Sequence, residues 1–436
     1  MNTQSILKNL NIETLNAMQL AAVEASKTSQ NMLLLSPTGS GKTLAFLLSS
    51  LPGIKADEGI QLLILVPTRE LVLQIESVMR AMKLNLKIST AYGGHAFKVE
   101  QNNLIDPPAI LIGTPGRVDD HLKRRTFDPA TITKIVFDEF DKSLEFGFTN
   151  EMEYILRKLK NLSHKFLVSA TAAIQIPSFV ALPNLKTIDF QSVEKPNFEF
   201  KELTVLADEK LSGLVMILSR MKKGENALVF VNHRDAADRI GVFLNEFNVA
   251  YALFHGGLKQ EQREFELIKF RNGSANVLVA TDIAGRGIDI PDLSTVIHYQ
   301  LPTTKEVFTH RNGRTARMKG EGTVVMIRTG DENILDYTDE NVKSLQLSEI
   351  KAIYPPEWTT FYIGKGKKDK INKMDIVGFM MQFDFMKKED LGLIEVKDYF
   401  AYAAVKSQHA KKLAAQCVKA KIKNKTVKVE IVKKRY

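Results

Sequence analysis

The chain has 436 residues, of which 44% are hydrophobic and 25% are charged, so it is long enough for two or three globular domains. No apolar run approaches the roughly 20 residues of a membrane helix, and the first residues lack the pattern of a secretory signal, so we expect no membrane partner. The single cysteine, Cys417, excludes an intrachain disulfide and fits a reducing, cytoplasmic location.

The positive charge is concentrated at one end of the chain. The net charge is +10, and residues 358–436 contain 19 lysines and arginines against 8 aspartates and glutamates, so the rest is close to neutral. A basic terminal module on a near-neutral body is typical of a nucleic-acid-binding protein. The simpler alternative is a solvated basic tail.

The first 190 residues predict a buried parallel sheet. Short apolar runs bounded by turn residues alternate with helical patterns, which is typical of doubly wound α/β folds. The predicted strands are Asn31–Leu35, Leu62–Val66, Ala109–Ile112, Ile135–Phe137 and Phe166–Val168. Each runs directly into a polar or glycine-containing segment, and ligands bind beyond the carboxyl ends of parallel strands.

Residues 207–345 repeat this pattern and predict a second α/β domain. Its predicted strands are Ala227–Val231, Ala250–Phe254, Val277–Ala280, Thr295–Tyr299 and Thr323–Ile327. Lys195-Pro196-Asn197 marks the junction before it, and Tyr354-Pro355-Pro356 marks the junction after it. The last segment has the order βαββαβ, which is the arrangement of RNA-recognition domains.

The segment Ser36-Pro37-Thr38-Gly39-Ser40-Gly41-Lys42-Thr43 lies between a predicted strand and a helical run. Its two glycines allow a tight turn whose backbone N–H groups face phosphates. Lys42 suits the charge of the β- and γ-phosphates, and the Thr43 hydroxyl suits Mg²⁺. The pattern therefore predicts a nucleoside triphosphate site.

Asp138 and Glu139 follow a buried strand, which makes a solvated acidic cluster the weaker alternative. A carboxylate such as Asp138 suits Mg²⁺, because hard cations take oxygen ligands. Glu139 suits the attacking water, as its orienter or base.

Arg314 and Arg317 are three residues apart, so they would share one face of a helix. Guanidinium groups suit the charge that spreads over a transferring phosphoryl group. The alternative is a solvated basic helix turn.

These motifs stand in one order, and with them the chain resembles the DEAD-box RNA helicases over residues 1–345. Further matching segments are Gln19, Pro67–Leu71, Gly93-Gly94, Thr114–Arg117, Ser169–Thr171, Val229–Arg234, Gln260–Arg263, Ala280–Asp289 and His310–Arg317. The resemblance implies two RecA-like parallel-sheet domains in tandem, at residues 1–194 and 204–346. It also implies ATP as substrate, Mg²⁺ as cofactor and RNA as partner, and it disfavours a DNA helicase.

The resemblance implies a role for each matching residue. ATP binding is implied for Gln19, which would read adenine, for residues Ser36, Pro37, Thr38, Gly39, Ser40, Gly41, Lys42 and Thr43, and for Asp289. Catalysis is implied for Lys42, Thr43, Asp138, Glu139, Arg314 and Arg317, with Thr43 and Asp138 also at the metal. Ser169 and Thr171 would couple the nucleotide site to RNA. The RNA backbone would be lined by Pro67, Thr68, Arg69, Gly94, Thr114, Arg117, Arg263 and Thr281.

Three departures from the family pattern stand out. Phe140 replaces the usual alanine of the acidic motif, and we expect it to pack behind the carboxylates. The aromatic residue usually found upstream of Gln19 is missing. In the arginine motif, Asn312 and Ala316 replace an aliphatic residue and a glycine.

Residues 358–436 resemble the C-terminal RNA-binding domain of the DbpA-type helicases, which makes a small α+β RRM-like domain the third unit of the fold. The resemblance rests on residues 361–371 and 422–428. Phe400-Ala401-Tyr402 lies where RNA-recognition folds place a base-stacking motif, and a structural role is the alternative. The resemblance implies a large-subunit ribosomal RNA target.

The sequence therefore predicts a monomeric, ATP-dependent RNA helicase that locally opens short duplexes, acts in large-subunit assembly and works in the cytoplasm. An ATP-gated RNA clamp or annealing chaperone with little unwinding stays open, because both functions need the same motifs.

Overall fold

The structure is a computed structural model that describes residues 3–37, 39–94, 96–171, 175–191, 197–282, 290, 293–316, 321–332, 341–347, 349–417 and 420–432. These residues fall into two compact units: those up to residue 191 form the first unit, and those from residue 197 form the second. Among them, no helix is both long and apolar enough to cross a bilayer.

The first unit is a parallel sheet with helices on both faces. Its strands are β1 (Asn31–Leu35), β2 (Leu62–Leu65), β3 (Ile88–Ala91), β4 (Ile110–Gly113), β5 (Lys134–Phe137), β6 (His164–Ser169) and β7 (Lys186–Asp189). Its helices are α1 (Thr3–Asn9), α2 (Ala17–Ser26), α3 (Lys42–Ser50), α4 (Arg69–Ala81), α5 (Phe97–Leu104), α6 (Pro115–Lys123), α7 (Phe140–Glu145) and α8 (Thr149–Lys158).

All seven strands pair in parallel, in the order β3-β4-β2-β5-β6-β1-β7. Successive side chains of a strand point to opposite faces. In β1, Met32 and Leu34 therefore join one hydrophobic core, and Leu33 and Leu35 join the other. Because both faces are covered, the central strands are apolar throughout, which is why the sequence pattern could find them.

The second unit begins with a sheet of the same type. Its strands are β8 (Asn197–Val205), β9 (Ala227–Val231), β10 (Tyr251–Phe254), β11 (Val277–Thr281), β12 (Thr295–His298), β13 (Glu321–Thr329) and β14 (Lys343–Ser344), in the order β10-β11-β9-β12-β13-β8-β14. The helices of this domain are α9 (Lys210–Leu218), α10 (Arg234–Glu246), α11 (Gln260–Arg271) and α12 (Lys305–Asn312). β8 begins at Asn197, so the sheet takes up residues that we expected in the junction.

The C-terminal domain is an antiparallel sheet packed on two helices. Its main strands are β15 (Trp358–Ile363), β16 (Leu391–Val396), β17 (Ala401–Lys406) and β20 (Val429–Ile431), and its helices are α13 (Lys373–Met380) and α14 (Ser407–Gln416). The sheet order is β16-β17-β15-β20. A small hairpin of β18 (Lys421–Ile422) and β19 (Lys425–Thr426) precedes the last strand.

The predicted fold class is confirmed: two parallel-sheet RecA-like domains are followed by a βαββαβ domain. Most strands that the sequence analysis missed are short or lie at sheet edges, such as β7 and β14; the exception is β8, which has nine residues and lies between β13 and β14. Edge strands face solvent on one side, so they lack the continuous apolar run that identified the central strands; in β7 only Ile188 is buried.

Candidate functional site

The phosphate loop is held in shape by its own polar groups. β1 is buried along its whole length and delivers the chain to Ser36, and α3 begins at Lys42. Gly39 and Gly41 have φ values of +85° and +87°, which other residues adopt only with strain. Lys42 Nζ donates to the carbonyl oxygen of Ser36 at 2.9 Å, so the loop encloses the lysine. Pro37 and Ser40 complete the loop through a hydrogen bond of 2.8 Å between the Ser40 hydroxyl and the Pro37 carbonyl.

Gln19 fixes the phosphate loop to the preceding helix. Its side-chain oxygen accepts from the Asn16 N–H at 3.0 Å, and its amide nitrogen donates to the Gly41 carbonyl at 3.2 Å. Asn16 also reaches the loop, since its amide donates to the Ser40 carbonyl at 3.0 Å. A side-chain amide has two donors and two acceptor lone pairs, so one of each is left for a base. The geometry therefore accommodates the adenine-reading role that we expect for Gln19.

Asp138 lies on the continuation of β5, where its N–H donates to the Leu65 carbonyl at 3.0 Å. Its carboxylate accepts from the Glu139 N–H at 3.0 Å. Burial and the neighbouring charge of Glu139 raise the pKa of Asp138 to about 7, although the charge of Lys42 acts in the opposite direction. Glu139 itself has a φ of +48°, a conformation that costs on the order of 1 kcal/mol in a non-glycine residue and is common at functional sites.

The acidic motif fits a magnesium ion. A buried carboxylate with a raised pKa gains free energy from a nearby cation, and Asp138 and the Thr43 hydroxyl offer the oxygen ligands that Mg²⁺ prefers. In the described part of the chain no three His, Cys, Asp or Glu side chains converge as a metal cage. Mg²⁺ in nucleotide sites is held by one or two protein ligands together with phosphates, so a cage is not required.

Ser169 and Thr171 connect the acidic motif to the end of β6. The Thr171 hydroxyl donates to the Asp141 carboxylate at 3.2 Å, and the Ser169 hydroxyl donates to the Thr171 carbonyl at 3.0 Å. On its other side, the Ser169 carbonyl accepts from the Ser36 N–H at 3.1 Å. Three hydrogen bonds thus run from the acidic motif to the phosphate loop through the two predicted coupling residues.

Six of the eight predicted RNA residues occupy the other half of the same sheet edge. Pro67, Thr68 and Arg69 follow β2, Gly94 follows β3, and Thr114 and Arg117 follow β4. The nucleotide residues follow β1, β5 and β6. In the sheet order β3-β4-β2-β5-β6-β1-β7, the two groups therefore lie side by side and meet between β2 and β5.

The sequence analysis missed a buried carboxylate in the RNA half. Glu100 of α5 is only 2% exposed, and it accepts from the Tyr92 N–H at 2.8 Å. Its other oxygen lies 2.7 Å from Arg117 Nε and 2.8 Å from His121 Nε2. Phe97 stacks on His121 with 4.4 Å between ring centroids, and the Arg117 guanidinium lies 5.2 Å from the Phe97 ring. Glu100 therefore orients Arg117 and ties it to the loop after β3.

In the second unit, Arg311 is the centre of a buried polar network. It is 2% exposed, and it contacts both carboxylate oxygens of Asp282 at 2.6 Å. It also donates to the Gln300 carbonyl and to the Asn232 side chain, each at 2.7 Å. The network joins α12 to the ends of β9, β11 and β12. We did not assign Arg311 a role from the sequence, and its burial gives it a structural one.

The expectation that Arg314 lies on a helix is wrong. α12 ends at Asn312, and Thr315 forms a β-bridge with Leu293. The Thr315 side chain is buried and its hydroxyl donates to the Leu293 carbonyl, which pulls the chain out of helical geometry. Arg314 is buried in the intervening turn. Ala316, at the usual glycine position, has a φ of +59°, which explains why glycine suits that position.

Asn312 has a partner that explains its presence. Its side-chain oxygen lies 2.8 Å from Nε2 of His298, which is fully buried on β12. Burial and the charge of Arg311 lower the pKa of His298 to about 3. The imidazole is therefore neutral near pH 7, and Asn312 accepts its N–H. An aliphatic residue there would leave that N–H without an acceptor, at a cost of about 1–3 kcal/mol.

The remaining predicted residues are placed as follows. Thr281 ends β11 and is buried, and Arg263 lies in the first turn of α11. Thr38, Asp289 and Arg317 lie outside the described residues.

Three family models match the chain in succession. The DEAD/DEAH box helicase model matches residues 16–178, the helicase conserved C-terminal domain model matches residues 209–319, and the DbpA RNA binding domain model matches residues 360–431.

Whole-chain relatives match over the same region. The ATP-dependent RNA helicase DbpA of Escherichia coli is 32% identical over 441 residues, which cover 98% of this chain and 96% of that protein. The DbpA of Bacillus subtilis is 28% identical and covers 94% of this chain and 92% of that protein. Among solved structures, S. cerevisiae Dbp5 bound to RNA and ADP BeF3 is 26% identical, with a TM-score of 0.68 over 78% of this chain and 93% of that one.

The first testable prediction concerns Phe140. Its side chain is fully buried, packs edge-on against Phe137 at 5.5 Å between centroids, and belongs to the core of the first domain. Phe140→Ala should therefore lower the unfolding free energy of this domain by about 3–5 kcal/mol, through lost burial and a cavity. Urea denaturation measures the loss. The kcat for ATP at low temperature should stay within a few-fold of the parent.

Phe140→Leu is the matched control, because it removes less volume and should lose much less stability. A loss of turnover in folded Phe140→Ala would contradict a purely packing role for this side chain.

The second prediction concerns Glu100. Glu100→Gln removes the buried charge that orients Arg117, while the shape of the side chain is kept. We expect the RNA concentration for half-maximal ATPase stimulation to rise roughly 10-fold, since Arg117 loses the buried charge with which it pairs and its orientation is no longer fixed. The KM for ATP should not change. Titration of ATPase activity with RNA measures both quantities.

The control is Glu76→Gln on α4, which removes the same charge from an exposed pair with Arg80. An unchanged RNA requirement in Glu100→Gln would show that Arg117 needs no such support.

Proposed function

Because the chain belongs to the DEAD-box family of ATP-dependent RNA helicases, we propose that it uses ATP hydrolysis to open short duplexes in large-subunit ribosomal RNA during ribosome assembly. The chain is an RNA-binding enzyme, and RNA stimulates its hydrolysis of ATP. The arrangement of the first sheet, where phosphate-binding, acidic and coupling residues end neighbouring strands, carries the part of the proposal that concerns ATP. The ribosomal RNA target is supported by the match of residues 360–431 to the DbpA RNA binding domain.

We propose the following roles for residues of the first domain. The phosphate loop from Ser36 to Thr43 holds the triphosphate, and Lys42 neutralises its charge. Asp138 and Thr43 would hold Mg²⁺, which supplies charge neutralisation at the phosphates. Glu139 orients the attacking water. Its strained backbone supports this role, because strain persists where the surrounding structure fixes a side chain for function.

The second domain supplies the arginines. We propose that Arg314 and Arg317 meet the γ-phosphate only when RNA and ATP together bring the two domains into register, with Asp289 beside the nucleotide. The Arg311 network supports this for Arg314: it anchors the turn at the ends of three strands, so the arginine is presented by a rigid element.

RNA binding to the two core domains is proposed to be independent of sequence. The residues proposed to line the RNA path, namely Pro67, Thr68, Arg69, Gly94, Thr114, Arg117, Arg263 and Thr281, would contact the backbone, and phosphate contacts carry no sequence information. Selection of a ribosomal RNA must then come from elsewhere. Hydrolysis would release the bound strand as the arginines leave the phosphate.

The lysine surface of the C-terminal domain is the proposed selective element. It consists of the exposed Lys367, Lys368, Lys370, Lys421, Lys423, Lys425 and Lys428. The loop after β15 and the β18–β19 hairpin are in contact, because Lys423 Nζ donates to the Lys370 carbonyl at 3.0 Å and Lys425 Nζ donates to the Asp369 carbonyl at 2.6 Å. Two adjacent loops with fixed backbones present these charges in one pattern, which a tail could not do. We further propose a monomer that acts in the cytoplasm, with its only cysteine buried.

The third prediction tests the arginine role. Arg314→Ala should lower kcat on the order of 10³-fold, with little change in the KM for ATP, because its contact is made in the transition state. RNA-stimulated ATPase assays measure both constants. Lys42→Ala is the comparator, because it removes ground-state binding as well. A collapse of ATP affinity in Arg314→Ala with kcat intact would contradict the proposal.

The fourth prediction tests the RNA target in the full-length protein. Lys367→Ala/Lys368→Ala/Lys421→Ala should abolish the preference for a large-subunit ribosomal RNA fragment over random RNA of equal length. The control triple, Lys387→Ala/Lys388→Ala/Lys411→Ala, removes the same charge from other exposed positions of the domain. The first triple should also flatten the salt dependence of binding, by up to about 0.7–0.9 per lost phosphate contact, and the control triple should change it little because its lysines lie outside the lysine surface. Only the first should lose the preference.

The same proteins test unwinding. The parent should displace a strand from a short duplex joined to the ribosomal fragment, and only with ATP. RNA-stimulated turnover without displacement would favour the clamp instead. An equal loss of preference in both triples would contradict the lysine surface.

A further inference from the structure

A half-buried glutamine ties the predicted coupling residues to the end of β7. The side-chain nitrogen of Gln191 donates to the carbonyl oxygen of Ala170 at 2.8 Å. Ala170 is the middle residue of the coupling segment, residues 169–171, which begins at the end of β6. Gln191 follows β7, which lies on the far side of β1 from β6. The side chain therefore reaches across the end of one strand to hold the segment that follows another.

The ends of β6, β1 and β7 are joined in a ring of hydrogen bonds. Beside β1, the Phe190 N–H donates to the Leu35 carbonyl at 2.8 Å. On the other side of β1, the Ser36 N–H donates to the Ser169 carbonyl at 3.1 Å. The Gln191 side chain closes the ring by joining the β7 side to the β6 side. Ser36 is also the first residue of the phosphate loop, so the loop begins at a member of this ring.

The coupling segment is held from the acidic motif as well. The Ser169 hydroxyl donates to the Thr171 carbonyl and accepts from the Thr171 N–H, both at 3.0 Å. The Thr171 hydroxyl donates to the Asp141 carboxylate at 3.2 Å. The segment thus has one contact with the acidic motif, one with the phosphate loop and one with Gln191, and the last of these comes from β7.

Gln191 lies where the chain leaves the first unit. From this residue the chain continues to β8, which begins at Asn197 in the second unit. The Gln191 N–H donates to the Asp189 carboxylate at 2.9 Å, which fixes the backbone from which the side chain extends. Any change in the position of Ala170 is therefore passed, through one side chain, to the start of the stretch that joins the two units.

The contact needs both the amide and the length of glutamine. An amide N–H can donate to a carbonyl, whereas a leucine of similar size cannot. Asparagine keeps the amide but is one methylene shorter, so it would lose the contact. In the sequence, a glutamine that follows an edge strand with three exposed residues looks like a solvated side chain, so no local pattern predicted this role.

We propose that Gln191 is a positioning residue for RNA-dependent ATP hydrolysis. By holding the Ala170 carbonyl it links the coupling segment to the chain between the two units, so that bound ATP and bound RNA strengthen each other's binding. The inference rests on the coupling role proposed for Ser169 and Thr171. Because Gln191 acts through the coupling segment, it affects the free energy of coupling between the two ligands more than the affinity for either ligand alone.

The test measures the binding of AMP-PNP to the full-length protein with and without saturating oligouridine, and of oligouridine with and without saturating AMP-PNP. The ratio of the two affinities is the coupling factor, and linkage requires the same factor from both directions. Gln191→Leu and Gln191→Asn should each reduce the factor roughly 5-fold, as expected for the loss of one hydrogen bond. Each ligand bound alone should keep its affinity within about 2-fold.

Asn161→Leu is the matched control. The Asn161 side-chain nitrogen donates to the Ala130 carbonyl, also at 2.8 Å, but this bond joins the loops that precede β6 and β5. Asn161→Leu and Gln191→Leu therefore remove the same kind of bond from the same domain, and urea denaturation should show similar losses of stability. Only Gln191→Leu should lower the coupling factor. An equal reduction in both variants would overturn the positioning role.

Steady-state turnover gives an independent readout. Gln191→Leu should lower the RNA-stimulated kcat roughly 5-fold more than the kcat without RNA, because the lost bond concerns the coupling. A smaller fraction of folded enzyme would lower both rates by the same factor. Equal losses in the two rates would therefore count against the positioning role.

Thr171→Ala separates the failure of this inference from the failure of the coupling role on which it rests. Both single variants should lower the coupling factor, and Thr171→Ala/Gln191→Leu should lower it no further than the larger single effect, because both act on one segment. If Thr171→Ala lowers the factor and Gln191→Leu does not, the coupling role stands and the inference is wrong. If the parent shows no coupling, or if Thr171→Ala keeps it, the coupling role fails and the inference fails with it.

Discussion

The strand order of the first sheet is the constraint on which the catalytic arrangement depends. Parallel strands deliver every following loop to the same edge, and neighbouring strands are only about 4.8 Å apart. The order β3-β4-β2-β5-β6-β1-β7 gathers the nucleotide loops on one side and the predicted RNA loops on the other. They meet where β5 adjoins β2, and there the Asp138 N–H is hydrogen-bonded to Leu65 at 3.0 Å. The acidic motif and the predicted RNA loops are therefore only one strand spacing apart.

Buried charges hold the loops that this order brings together. Arg311 is surrounded by Asp282, Gln300 and Asn232 in the second unit, and Glu100 by Tyr92, Arg117 and His121 in the first. A buried charge that keeps all its partners fixes geometry, while the loss of one partner leaves an expensive unpaired group. These networks therefore hold Arg117 and the turn that carries Arg314 in one position. Substitutions within the networks should consequently be poorly tolerated.

Two of the departures from the family pattern, Phe140 and Asn312, are explained by their buried partners. Phe140 fills the core behind the acidic motif, so its size concerns stability more than chemistry. Asn312 gives the buried His298 an acceptor, and the two residues form a unit across α12 and β12. Ala316 retains the left-handed backbone for which glycine is better suited.

The sequence by itself determined the elements with strong local signals. Buried central strands are recognisable as apolar runs, so the fold class was predictable. The phosphate loop and the acidic motif follow such strands directly, and on that ground they were assigned to a nucleotide site. The order of the strands was not predictable, because it depends on long-range pairing that no local pattern encodes. The prediction that Arg314 lies on a helix failed for the same reason. The hydrogen bond and the β-bridge that join Thr315 to Leu293 connect residues that are 22 positions apart in the chain.

Only the tertiary structure revealed the burial of Glu100 and Arg311 and the contact of the turn after α11 with β15. A glutamate in an amphipathic helix and an arginine in a basic motif look like surface residues in a sequence, and their burial depends on what packs over them. The aromatic residues of β15 and β17 could have served a base or a core equally well. Only the tertiary structure shows that the Asn272 amide and the Ser274 hydroxyl contact the Thr360 hydroxyl, across 88 and 86 residues of the chain.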